Sequence, residues 1–212
     1  MAKAIRIAIT KIRCLVETNE VGADEPYVIV VGADLTKTPP NVEATLSGPW
    51  KDMDQGEART LLPLEALAGQ PPQMAVFLQS LGLVQTPFWS LDNKTGKNIN
   101  KPDDVIFIVT VMENDDGNPK VARELAKTAA IASLAGSMGM DRTTRVQKLI
   151  QDINHALDMP TGFPNFDERL DTKELAFTAK ELLAADKGSV AKGIIFTGDG
   201  GQYRVRFETS LA

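Results

Sequence analysis

Carboxylates are the only chemistry-bearing side chains that this sequence gathers at telling positions. One group, Glu17, Asn19, Glu20, Asp24 and Glu25, directly precedes an apolar segment that opens at Tyr27. A second, Glu113, Asn114, Asp115 and Asp116, directly follows an apolar segment that closes at Met112. If the two segments are antiparallel neighbours, the start of one and the finish of the other share a sheet end, and the loops meet. Converging carboxylates repel one another and rise in pKa. A hard cation relieves that repulsion. Calcium suits the pattern best, because it takes six to eight oxygens in flexible geometry. Two solvated acidic turns are the plainer reading of the same residues.

Other site chemistries find little support. His155 is the single histidine and Cys14 the single cysteine. One of each cannot build a tetrahedral nitrogen–sulfur zinc site. His155 falls between Ile153 and Leu157 without triad-like spacing, so a helix-surface or partly packed side chain is expected. Cys14 lies in a strand pattern and reads as an inert thiol. Gly198-Asp199-Gly200-Gly201 is followed neither by Lys-Ser/Thr nor by a helix, which rejects a phosphate loop. Asp52-Met53-Asp54-Gln55-Gly56 begins like an EF-hand loop, but its glycine comes one place early and no Glu closes it. A surface turn is expected there.

Composition sets the class. The 212 residues are 43% hydrophobic and 24% charged, with a net charge of −5. These values fit one globular domain spanning 1–212 and exclude disordered, collagen-like and membrane-embedded classes. An acidic chain is a poor nucleic-acid binder, since phosphate backbones reward basic surfaces. No run approaches the ~18 apolar residues of a membrane span. Met1-Ala2-Lys3-Ala4-Ile5-Arg6 lacks the apolar stretch of a signal peptide. A cytoplasmic protein is expected, with export by a signal-less route left open.

The elements that position these groups follow from periodicity. Ile5, Ile7 and Ile9 alternate with polar residues, and a slip near Lys11-Ile12 suggests a bulge. Tyr27 to Val31 and Val42 to Leu46 read as strands. From Gly48 to Asn100 the signals weaken, and Met74 to Leu83 fits a short helix or a strand. Asp103-Asp104 opens the strongest strand, Val105 to Met112, whose continuous apolar run suits a central position covered on both faces. Then the period changes. Val121, Leu125, Ala129 and Ala132 repeat at helical spacing behind Pro119, and Val146, Leu149, Ile150, Ile153 and Leu157 form a second stripe. Asp141 is placed to cap the second helix, and Pro160 bars its continuation. Ile194 to Phe196 and Tyr203 to Phe207 flank an Asp-Gly hairpin turn. The order predicts a mainly β fold, an antiparallel β-sandwich carrying a two-helix insertion at about 119–160.

Three segments resemble a known family. Gly22-Ala23-Asp24-Glu25-Pro26-Tyr27-Val28 resembles the Gly-x-Ser-Asp-Pro-Tyr-Val signature of calcium/lipid-binding domains of the protein kinase C and synaptotagmin type, the C-two superfamily. Val109 to Asp115 resembles that family's later strand, which ends in apolar-x-Asp-x-Asp. Asn165-Phe166-Asp167-Glu168-Arg169-Leu170 is similar to its Asp-Asp-x-Ile-Gly element. Glu174 to Ala179 then stands where the family has its next strand, although helical spacing through Leu175, Ala179 and Leu182 fits nearly as well. The likeness covers the two ends of the chain and little of Gly48 to Asn100. The helical insertion into the third loop is a departure from the family.

The resemblance implies a calcium site at Glu20, Asp24, Glu25, Glu113, Asp115, Asp116 and Asp167, with Glu standing for Asp at two of the matched positions. It implies a non-enzymatic module that docks anionic phospholipid or a protein partner, the cation switching the local sign of charge. Val21, Lys120 and Arg123 are then the candidate membrane or partner contacts. The alternative is a metal-free structural or interaction protein that uses the helical insertion as its binding surface. Ala122, Ala126, Ala129 and Ala130 suit close helix packing, internal or with a partner. A carboxylate-based metal hydrolase is the third reading, without an acid–base partner in the sequence.

Overall fold

The computed structural model describes residues 4–19, 23–89, 97–115, 117–158, 167–185 and 188–211. In chain order the elements are β1 (Ala4–Val16), β2 (Pro26–Asp34), β3 (Asn41–Ser47), β4 (Ala58–Thr60), α1 (Pro72–Ser80), β5 (Pro87–Trp89), β6 (Lys97–Asn98), β7 (Val105–Glu113), α2 (Pro119–Gly136), α3 (Arg142–Leu157), β8 (Glu168–Glu174), α4 (Ala179–Ala185), β9 (Val190–Gly198) and β10 (Gly201–Leu211).

The strands form two antiparallel sheets. One has the order β4-β1-β10-β9, with β5 and β6 also paired to β1; the other has the order β3-β2-β7-β8. β1 is long enough to take β10 along one edge and β6, β5 and β4 in succession along the other. The expected bulge is present: the β1–β10 register shifts between Ile9 and Lys11. One extra residue flips the face of everything after it. That is why Ile5, Ile7 and Ile9 share the core with Ile12 and Cys14, at positions of opposite parity.

Two apolar layers result. Between the sheets, Val28, Val30, Phe107, Val109 and Val111 meet Ile7, Ile9, Phe196, Val205 and Phe207. Phe107 lies near the centre of this layer, edge-to-face with Phe88, Trp89 and Phe177. The alternate residues Tyr27, Ile29, Val31, Ile106, Ile108 and Met112 form the opposite face of the same sheet, under α2 and α3. All nine residues of β7 are buried, as the continuous apolar run of a doubly covered strand requires.

The helices differ in part from the pattern read in the sequence. In α3, Val146, Leu149, Ile153 and Leu157 are buried, and Asp141 caps the helix by accepting from Thr144 N at 3.0 Å. In α2 the buried stripe is Ala122, Ala126, Ala130 and Leu134, which includes three of the alanines suited to close packing, while Val121 of the expected Val121–Leu125–Ala129–Ala132 row is exposed. Small side chains admit the sheet and α3 closely, so the tightest face is the alanine face rather than the one with the larger residues. The strand expected at Glu174 to Ala179 lies earlier, at β8, and the chain turns helical from Ala179. Met74 to Leu83 begins inside the helix α1, which ends at Ser80. No helix among the described residues is long and apolar enough to cross a membrane.

Candidate functional site

The start of β2, the end of β7, the start of β8 and the β9–β10 turn all come to one end of the sandwich. Pairing of Pro26 with Glu113 brings the two acidic loops together there. Glu25 N donates to Glu113 Oε1 at 2.6 Å, and Asn114 Nδ2 donates to Glu25 Oε2 at 3.2 Å. Lys51 Nζ lies 3.8 Å from the other Glu25 oxygen.

Three carboxylates at this end are buried, Glu113 with Asp24 and Asp167, and the last two each gather several donors. Asp24 accepts from Thr18 N at 3.0 Å, from Thr18 Oγ1 at 2.7 Å, and from the Tyr203 hydroxyl. It thereby fastens the first loop to β10 in the opposite sheet. Asp167 accepts from Tyr27 OH at 2.6 Å, from Gly117 N at 2.9 Å and from Asp115 N at 3.2 Å. It draws the segment after β7 against the start of β8. Burial, then the neighbouring carboxylate, pushes both tyrosine hydroxyls far up in pKa, so they stay donors. Neither tyrosine is marked in the sequence as an acid's partner; Tyr27 stands inside the family-like segment, and Tyr203 in an ordinary strand pattern.

Glu20, Val21 and Asp116 lie outside the described residues. Lys120 and Arg123 sit on the first turns of α2, away from the buried carboxylates' bonds. Lys120 N donates to Asn118 Oδ1 at 3.1 Å, which caps the helix, and Arg123 pairs with its neighbour Glu124 at 2.6 Å. His155 is exposed on α3. Cys14 is fully buried, and burial pushes its thiol up, away from the thiolate. The EF-hand-like stretch is a turn, with Asp52 at φ 52°, but Met53 within it is buried and bonds Asp24 O through its backbone N–H.

Glu168 and Asp199 are a further acidic pair that the sequence reading did not single out for this end. Asp199 is the left-handed first residue of the Asp-Gly turn, at φ 48°. A hydrogen bond with Asp199, then burial, then the charges of Asp199 and Asp115, push Glu168 up to about 7. The folded state thus keeps a proton that the unfolded chain releases near 4.5, and this group's contribution to stability falls as pH rises from there to about 7. Melting midpoints followed across that window are expected to decline less in Glu168→Gln than in the wild type. Parallel curves would remove the shared proton from the account.

Among the described residues, no group of three or more His, Cys, Asp or Glu side chains is arranged to hold a metal ion. Asp24 and Asp167 direct their oxygens at donors of their own chain, which is the chemistry of loop fastening. Comparison of the chain with models of known protein families, with curated proteins and with solved structures finds no match.

One other surface stands out, and the sequence reading missed it. None of the residues of α1 is buried. Met74, Phe77 and Leu81, at spacing i, i+3, i+7, are exposed, as are Val76 and Leu62; Val76 is 65% and Phe77 56% accessible. The segment is nonetheless tied down. Trp50 Nε1 donates to Gly82 O at 2.8 Å, and Leu62 exchanges backbone bonds with Leu83 and Gln85. The available signal was charge: no residue between Glu65 and Asp92 is ionisable, in a chain that is 24% charged.

Proposed function

We propose that the protein is a non-enzymatic interaction module that associates with a second copy of itself through the exposed face of α1. The observation that carries this reading is the bare apolar stripe of Met74, Phe77 and Leu81, flanked by Val76. Such an i, i+3, i+7 row is the pattern by which helices anchor in apolar surfaces. Exposed apolar patches of a few hundred Å² on a monomer, roughly 300–600 Å² for the largest, are often functional. Gln73, Gln79 and Ser80 border the apolar row and supply the polar rim that a specific interface carries.

Absence of charge favours self-docking over an anionic surface. A twofold contact presents the same patch on both sides, so a patch of one charge would repel itself and an uncharged one does not. The inner faces of α2 and α3, by contrast, are occupied by the sheet. Sedimentation of the purified chain is expected to show a concentration-dependent dimer, and Phe77→Asp to return it to monomer with the melting midpoint of the wild type at dilutions where that is monomeric.

A calcium-binding, C-two-like module is the second reading. It is favoured by the meeting of the two acidic loops at one sheet end, where Pro26 pairs with Glu113 and Asn114 bonds Glu25. Under this reading millimolar calcium raises the melting midpoint, since a ligand of the folded state stabilises it by mass action. Under the first reading calcium and chelator give the same midpoint.

A further inference from the structure

The outer face of the first sheet carries the opposite charge to the acidic end. Lys11 and Arg13 on β1 and Arg204 and Arg206 on β10 line a shallow cavity of about 380 Å³, together with Ala191, Lys192 and Gly193 of β9. Register sets like against like: Arg13 is directly opposite Arg204, and Lys11 directly opposite Arg206. Side chains in such pairs are about 5 Å apart at Cβ, and like charges there are destabilising. Among the described residues, no hydrogen bond or ion pair engages the side chains of these four. Lys192 differs, since it is held by Glu181 at 3.1 Å and by Ala176 O. Four uncompensated cations are thus gathered on one sheet face of a chain whose net charge is −5.

We infer that this face is a binding site for a small anion bearing clustered phosphate groups. The three guanidinium forks match phosphate oxygens in pairs, and Lys11 adds a point charge. The cavity is of the size that takes a small ligand rather than a macromolecular surface. Gly193, without a side chain, leaves room for the ligand between the arginines and β9. Bound phosphate turns the two repulsive pairs into shared contacts, so the same residues that weaken the free sheet hold the ligand.

The source of the phosphates is either a soluble polyphosphorylated molecule or a phosphorylated lipid headgroup. Calorimetric titration with inositol hexakisphosphate tests the first. Flotation with phosphatidylcholine vesicles, plain or doped with phosphatidylinositol bisphosphate, tests the second. Binding to either probe is expected to weaken about tenfold or more in the double variant Arg13→Gln, Arg204→Gln, and to fall with added salt. The same variant is expected to melt at or above the wild-type midpoint, because a like-charge pair has gone; a merely structural role predicts the reverse. Lys11→Gln with Arg206→Gln is the second variant and removes the other pair. A wild-type chain that binds neither probe, or variants that bind as the wild type does, would overturn the site.

Discussion

Asp24→Ala is expected to lower the stability of the fold by about 3–5 kcal/mol, since it orphans buried donors at roughly 1–3 kcal/mol each. The residue is only 2% accessible, and Tyr203 and Thr18 beside it are also buried. Removal of the carboxylate leaves the Tyr203 hydroxyl and both Thr18 donors without their acceptor. Urea unfolding of the variant measures the loss. Asp24→Asn is instructive beside it. The amide keeps one acceptor oxygen but replaces the other with a donor, so a smaller but definite loss is expected. If calcium ligation were the role of Asp24, both variants would instead unfold like the wild type in chelator and differ from it only in calcium. Near-wild-type stability of Asp24→Ala in chelator would contradict the fastening role.

Gly198→Ala is the second large effect. A Cβ at this position would lie 1.8 Å from the carbonyl oxygen of Leu170. No rotamer change relieves a clash with backbone, so β8 and β9 must separate. These strands belong to different sheets, and they meet where Lys173 Nζ donates to Ile195 O at 2.7 Å and Thr197 N to Asp171 Oδ2 at 3.2 Å. The substitution therefore opens the closed edge of the sandwich. A loss of about 3 kcal/mol or more is expected, at or above the upper end for overpacking in a core where side chains can still adjust. Hydrogen exchange should localise it, with protection lost in β8 and β9 before the β2–β7 pair. An alanine variant with wild-type stability would mean that the two edges are not in contact.

The parts of this fold that were legible in the sequence are those where one periodicity dominates. β1, β2 and β7 declare themselves through alternation or continuous apolar runs, α3 through a full stripe with Asp141 at its cap, and the last hairpin through Asp199-Gly200. The meeting of the two acidic loops was legible too, because antiparallel order alone brings Glu25 to Glu113. What escaped was decided by tertiary contacts. β4, β5 and β6 are three, three and two residues long, too short to carry a period, and exist because the long edge of β1 offers them partners. β8 reads as polar, yet Leu170 and Thr172 face inward, and Thr172 Oγ1 lies 3.0 Å from Thr110 Oγ1 in its register partner. α1 escaped for the opposite reason: its apolar side chains face outward, so burial could not be inferred from them.

The same residue types thus divide between structure and surface. Asp24 and Asp167 are consumed by loop fastening, while Met74, Phe77, Leu81 and the four cations of the first sheet are left facing solvent. Charge also separates along the molecule, with carboxylates at one end and Lys11, Arg13, Arg204 and Arg206 on a sheet face. High salt would weaken an association between those two regions and leave an apolar contact through α1 intact.

Sedimentation velocity over a wide concentration range, at high salt and with chelator present, tests the central claim most directly. The α1 interface predicts a reversible monomer–dimer equilibrium that persists under these conditions and disappears in Phe77→Asp. A monomer at every concentration, or a dimer that Phe77→Asp leaves intact, would contradict it.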